Sequence, residues 1–373
     1  MRRIKRLWIP ILLLLLLQGS ALAVDEQTLI DRQADALGAG AIQGALPDGA
    51  RPLLDGVPLE VGTDITQGVG GIWENTAGRL GGVLREAARS AATVMVIAIL
   101  VGLLRSIYEG SGAQVPDFAS LLGVLAVSAA ALGSGRAFIG LGADTLREME
   151  TFSRILFPTL ATAGVASGAF TSAAVKYAGT VLFLDVLMTV SSRVILPVIY
   201  AYMAAAIGSA AMGGGGLKGA VRLLKWAAGA LITVIMMAFV TYITVVGLVS
   251  ASTDVMATRL ARTTISTALP VVGGIIADAA GTVVAGAALV RNAMGVMGLL
   301  AVLAICLLPI LQLGAHYLLF KAAAAVSASV TDPKIGELIE DLGAAFGMVM
   351  GLVGAGAMMI FFSILSMMRA VVV

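Results

Sequence analysis

Charge is scarce in this sequence: Asp, Glu, Lys and Arg make up 12% of its 373 residues, against about a quarter in an ordinary soluble domain. A chain so poor in charge cannot cover a water-facing surface with polar groups, which excludes a soluble globular protein. Cysteine and histidine are almost missing. Cys306 stands alone and allows neither an internal disulfide nor a cysteine metal cluster, and His316, also alone, cannot build a metal site. A formal net charge of +2 with no long Lys/Arg run removes the electrostatic footprint of nucleic-acid binding, so nucleic acid is not a partner. Protease motifs are absent too: there is no His-Glu-x-x-His, and neither intramembrane aspartate follows Gly-x-Gly. The glycine run Gly213 to Gly216, with Lys218, lacks both the four-residue spacing and the hydroxyl after the lysine that a phosphate loop needs. No cofactor is implied, and any energy source has to be another subunit.

What fills the chain instead is apolar: 59% of residues are hydrophobic and the mean hydropathy is +1.00. Arg2, Arg3, Lys5 and Arg6 precede an apolar run from Leu7 to Leu17, and Ala21-Leu22-Ala23 then supplies small residues for cleavage. That is the pattern of a signal peptide, too short in its apolar part for the ~20 residues of a span. Residues 1–23 are therefore predicted to be removed, leaving Val24 outside the cytoplasm. Residues 24–89 carry ten acidic and five basic side chains, whereas residues 90–373 spread 27 charges over 284 positions. The first stretch reads as a small extracytoplasmic region of two amphipathic helices about a Pro47 to Pro58 turn, the second helix running on into the first span. Sixty-odd residues bury little alone, so this region is expected to pack on the membrane domain or a partner.

The apolar stretches beyond residue 89 predict spans at 90–108, 118–134, 158–175, 177–192, 194–212, 228–250, 265–289, 294–314 and 344–368. Two of these are short and rich in small residues, so the fold class is an all-α polytopic membrane protein of about seven to nine spans. Lys218, Arg222 and Lys225, without a nearby acid, assign the 213–226 loop to the cytoplasm by the positive-inside rule. Counting nine spans then puts the acidic stretch Asp332 to Asp341 outside and Arg369 inside.

Two carboxylates, Asp185 and Asp278, fall at apparent membrane depth, where each costs at least a few kcal/mol unless it is paired. Each is a candidate for function. Each is equally open to a structural reading, as an ion pair with Arg193, Arg291 or Lys176, or as a residue at a water-filled edge. For Asp278 the nearest cation is Arg291, thirteen residues on, or ~20 Å along one helix. Their pairing thus requires a break near Gly281 or Gly286, or another span. Gly343, Gly347, Gly351 and Ala355 recur every four residues, as do Ala277, Gly281 and Ala285. Such stripes let helices approach closely, within the chain or between subunits.

The block from Ala268 to Asp278, with Pro270, Gly273 and Asp278, followed by Arg291-Asn292-Ala293-Met294-Gly295, resembles the signature region of the stage III sporulation protein AE family. The order of the whole chain is similar as well, down to the final Phe361-Phe362-Ser363-Ile364-Leu365-Ser366. Arg291 stands where lysine is the more frequent family residue, and the charge is kept. The resemblance implies a membrane subunit of a channel complex in the mother-cell membrane around the forespore. Its implied partners are other membrane subunits of the stage III complex and a separate ATPase; its implied role is to keep the engulfed forespore competent for late transcription. No catalytic residues come with the resemblance, and Pro270, Gly273, Asp278, Arg291, Asn292 and Gly295 match motif positions without an assigned role. Two other classes stay open from the residues themselves: an ion-coupled transporter using Asp185 and Asp278, and the permease half of an ATP-driven exporter with a coupling helix at 213–226.

The cleavage reading is checked by N-terminal sequencing of the chain recovered from membranes. It is expected to begin at Val24; an intact Met1 would overturn it.

Overall fold

The computed structural model describes residues 26–57, 64–110, 117–212, 215–268 and 273–369. Residues 1–23, expected to be a signal peptide, and Pro270 lie outside them; for Gly273 and Asp278 the backbone alone is described. The described chain is helical throughout, as an all-α membrane protein requires: lipid offers backbone N–H and C=O groups no partner, so each must be satisfied inside its own helix. In order come α1 (Glu26–Ala36), α2 (Ala39–Gly44), a 3-10 turn (Arg51–Leu53), α3 (Ile65–Gly110), α4 (Asp117–Ala166) and α5 (Phe170–Val190). A π-turn (Ser191–Ile195) leads into α6 (Leu196–Met212), followed by α7 (Lys218–Ala268), α8 (Gly273–Val330) and α9 (Pro333–Met368). Among the described residues, five stretches are long and apolar enough to cross a membrane: Ile65–Tyr108, Ala173–Met212, Lys218–Val246, Gly281–Val330 and Pro333–Met368.

Three joints explain where the sequence reading and the structure part. Ser191-Ser192-Arg193 divides the sequence into spans 177–192 and 194–212, yet the chain stays helical across it. Pro197 has no N–H to give to the carbonyl four residues back, and the widened π-turn just before it absorbs that mismatch without ending the helix. Conversely, the span expected at 158–175 is cut. Gly168 takes a left-handed φ of 85°, and the N–H groups of Gly168 and Ala169 donate to the carbonyls of Val165 (3.0 Å) and Gly164 (2.9 Å). This is a Schellman end, for which glycine is the fitting residue. The third joint is one the sequence led us to expect and the structure lacks: residues 273–289 of one expected span run on into the next, 294–314, on the unbroken α8.

That continuity corrects the topology. Two helices, α7 and α8, rather than three spans, separate the basic loop from the acidic stretch 332–341, so both lie at one end of the bundle. Lys218 Nζ sits 2.7 Å from Glu337 Oε2 across the two. At the same end Asp332 caps α9, accepting from the Lys334 N–H at 3.0 Å ahead of Pro333, and pairs with Arg105 at 3.3 Å. Arg369, one helix further on, belongs to the opposite end, where Met368 lies against Gly295. The N-terminal helices are there too: a Cβ on Gly38 would meet Thr159, and Ile42, Leu53, Leu54 and Val57 are buried in the same core as α8. As the sequence suggested, α3 carries the polar region into the first apolar stretch as one helix.

The core lies along α8 and α9. Phe346 meets Phe138, Phe320 and His316 edge-on, and the His316 ring centroid is 3.8 Å from that of Phe138. His316 Nδ1 is 2.9 Å from the Gln312 carbonyl, and Cys306 is buried earlier on the same helix. Both are packing residues.

Glycine positions in this core differ sharply in the space around them. A Cβ on Gly102 would run into the backbone carbonyl of Val330, whereas one on Gly351 would meet nothing within 4 Å. Gly102→Ala is therefore expected to cost about 1–3 kcal/mol through overpacking, while Gly351→Ala is expected to hold or raise stability through its better helix propensity. Melting temperatures of the two purified variants in detergent check the contrast.

Candidate functional site

The first polar constellation is built around two buried cations at the end of the bundle that carries Arg369. Arg291, on α8, is 3% exposed, and its Nη1 donates to Ser167 Oγ at 2.7 Å. Ser167 is held for this by the Schellman end of α4, and its own hydroxyl donates to the Gly164 carbonyl at 2.9 Å. Lys176, on α5, is 4% exposed and donates from Nζ to the Ser366 carbonyl in the last turn of α9 at 2.7 Å. One turn further, Thr180 Oγ1 donates to Ser363 Oγ at 3.2 Å, and Ser363 to the Met359 carbonyl at 2.8 Å. Each buried cation is thus set against the C-terminal end of a helix, where the last carbonyls are free and the helix dipole is negative.

This arrangement answers the expected pairing of Asp278 with Arg291. No break occurs at Gly281 or Gly286, so thirteen residues of continuous α8 hold the two positions ~20 Å apart along the axis. Arg291 instead finds a neutral hydroxyl, and its Nε has no hydrogen-bond partner. Of the other motif positions, Asn292 is exposed beside it, and Gly295 is buried against the Met368 side chain. Arg291 and Gly295 therefore lie on a packing seam between α8, the end of α4 and the end of α9. Ser167 and Lys176 complete that seam, and both escaped the sequence reading of it, since nothing in sequence spacing brings residues 124 positions apart together.

The second constellation surrounds Asp185. It is exposed on α5 and lines a cleft of about 560 Å³ against α4, together with Glu150, Ser153, Arg154 and Tyr177. Arg154 Nη2 binds Glu150 Oε1 at 2.6 Å. The charge of Glu150, and more weakly that of Asp185, holds the Arg154 guanidinium still more firmly protonated. Arg154 is thus a cation whose charge faces Asp185 in this cleft. Its signal was the charged run Asp144 to Arg154, whose Glu150 and Arg154 stand one helical turn apart. One turn before the cleft, burial together with Asp144 and Asp48 pushes the Glu148 carboxyl above its ordinary range. Asp185 thus stands at an open cleft edge, as in the water-edge reading.

The glycine stripe of α9 divides. Cβ atoms on Gly343 and Gly347 would meet Phe320 (3.1 Å) and Tyr317 (3.0 Å) of α8, so these two glycines serve packing within the chain. Gly351 faces open space beside Gly354, in a shallow apolar cleft between α7 and α9. Among the described residues no three His, Cys, Asp or Glu side chains come together as a metal site.

The family model described as Stage III sporulation protein AE matches residues 64–371. Stage III sporulation protein AE of Bacillus subtilis (strain 168) is 23% identical over 231 residues, which cover 62% of this chain and 57% of that relative. No solved structure matches the chain.

Ser167→Ala should strand the Arg291 guanidinium in an apolar seam and lower stability by about 1–3 kcal/mol. Adding Arg291→Met, which replaces the charge by an apolar chain of similar length, should recover most of that loss. Melting temperatures and membrane levels of the single and double variants test the coupling; an additive double variant would contradict it.

Proposed function

Because the chain belongs to the stage III sporulation protein AE family, we propose that it acts in sporulation as a non-enzymatic membrane subunit of a channel complex linking mother cell and forespore. The observation that carries this reading is the extent of the family match, residues 64–371, which takes in every long helix of the bundle. In this reading the chain resides in the mother-cell membrane around the forespore, with residues 24–89 facing the space between the two membranes. It works with other membrane subunits of the stage III complex and with a separate ATPase. A chain without a phosphate loop depends on such a partner for energy. The architecture suits a scaffold: its buried cations are spent on helix ends inside the bundle, and its exposed polar groups lie in clefts at the periphery.

One feature favours a second reading. Asp185 stands open in a cleft beside Arg154 and Glu150, where an ion-coupled transporter would hold an exchangeable carboxylate. The two readings separate experimentally. Affinity purification of the tagged full-length chain from sporulating cells is expected to bring with it an ATPase and further membrane proteins of the stage III complex, and recovery of the chain alone would overturn the subunit reading. Asp185→Asn is expected to leave both complex assembly and spore yield unchanged. Normal assembly with lost spore yield would instead favour the transporter.

A further inference from the structure

At the basic-loop end, α7 begins with Lys218, Arg222 and Lys225, spaced i, i+4 and i+7 and so aligned on one stripe of the helix. The facing turns of α9 present Lys334, Glu337 and Asp341 at i, i+3 and i+7. Between these stripes and the end of α6 lies a cleft of about 550 Å³. The acids of the cleft are already engaged. Glu337 holds Lys218, with Nζ at 2.7 and 3.0 Å from its two oxygens. Glu340 is matched at 3.9 Å by Lys321, which lies outside the cleft. Asp341 accepts a hydrogen bond of 2.8 Å from the hydroxyl of Tyr202, a fully buried side chain of α6.

Three cations are left over. The side chains of Arg222, Lys225 and Lys334 make no hydrogen bond or ion pair among the described residues, Lys225 reaching Asp341 through its field alone. They come from two different helices and border one cavity, so a ligand between them meets charge from both walls. The remaining wall is apolar, formed by Ala206, Ala210, Val221 and Leu338. Beside the cleft on α7, Leu223 is 60% exposed and Trp226 68% exposed. An exposed tryptophan and leucine flanking a basic stripe mark the depth of lipid headgroups on a helix that enters the bilayer.

We propose that this cleft between α6, α7 and α9 is a phosphate-ester site, in which Arg222, Lys225 and Lys334 bind the phosphate of an anionic phospholipid headgroup while the apolar wall takes the adjoining glycerol and acyl carbons. Guanidinium and ammonium groups supply charge-assisted hydrogen bonds to phosphate oxygens, the guanidinium in a fork that matches two of them. The same chemistry would accept a small soluble phosphate ester, and the test separates the two sources.

The full-length protein, purified in a neutral detergent, is titrated with phosphatidylglycerol, with phosphatidylcholine and with glycerol 3-phosphate, following the melting temperature and, by native mass spectrometry, the bound ligand. Phosphatidylglycerol is expected to bind and raise the melting temperature, and phosphatidylcholine to do so less. R222Q/K225Q/K334Q is expected to weaken phosphatidylglycerol binding about tenfold or more, whereas Arg147→Gln, an exposed cation on α4, should leave it unchanged. If the triple variant does not accumulate, Arg222→Gln alone, at an exposed position, carries the comparison. Glycerol 3-phosphate binding that responds to the same variant, without preference for the lipid, would support the phosphate site and assign it to a soluble ester. Binding of either probe that is indifferent to these variants, or capture of an acidic peptide in preference to both, would overturn the proposal.

Discussion

Close approach between α8 and α9 is the constraint on which the remaining helices depend. Along the length of this pair, glycine on one helix meets a side chain or backbone of the other: Gly336 against Ala328, Gly343 against Phe320, Gly347 against Tyr317, Gly314 against Met350, Gly295 against Met368. In lipid there is little hydrophobic drive to bring apolar helices together, so dispersion contacts at short range have to hold them. The other helices then seat themselves on this pair by the same device. Gly102 lets α3 meet the backbone at Val330, Gly142 lets α4 close on Val349, and Gly356 receives Leu187 of α5. A side chain at most of these points would separate two helices along much of their length.

Polar groups inside such a bundle are tolerated where helix ends supply the compensation. Arg291 donates to the Ser167 hydroxyl at the end of α4, and Lys176 to the Ser366 carbonyl in the last turn of α9, so the negative ends of those helix dipoles favour both cations. Carboxylates are treated differently. Asp185 and Glu150 stay at the edge of a cleft with Arg154, and Glu337, Glu340 and Asp341 stay at the basic end with their own donors. Two cations, Arg291 and Lys176, are thus locked into the packing seam, while the charged groups of the two clefts stay nearer the surface.

The family signature takes a physical meaning from this. Arg291 ties α8 to the end of α4, and Gly295 makes room for the end of α9 one turn further. Together they fix three helices at one level, a role that asks for a cation and a glycine four residues apart.

Much of this protein is written in its composition. Low charge and long apolar runs determine that it is a helical membrane chain, because a backbone in lipid has so few alternatives. The amphipathic N-terminal region and the basic stripe on α7 follow from local spacing. Which way each helix runs did not follow. Residues 265–314 are apolar, with small residues where a turn would go, and hydropathy cannot tell one long helix from two short ones. The answer lies in whether neighbouring helices cover the middle, as α9 and the N-terminal helices cover α8. That single difference moves the acidic stretch beside the basic loop and gives Lys218 its partner Glu337. The partners of the charged residues were likewise decided by tertiary structure: Arg291 with Ser167, Lys176 with Ser366 and Asp185 beside Arg154 are brought together across separate helices, and local sequence carries no information about contacts that only packing creates.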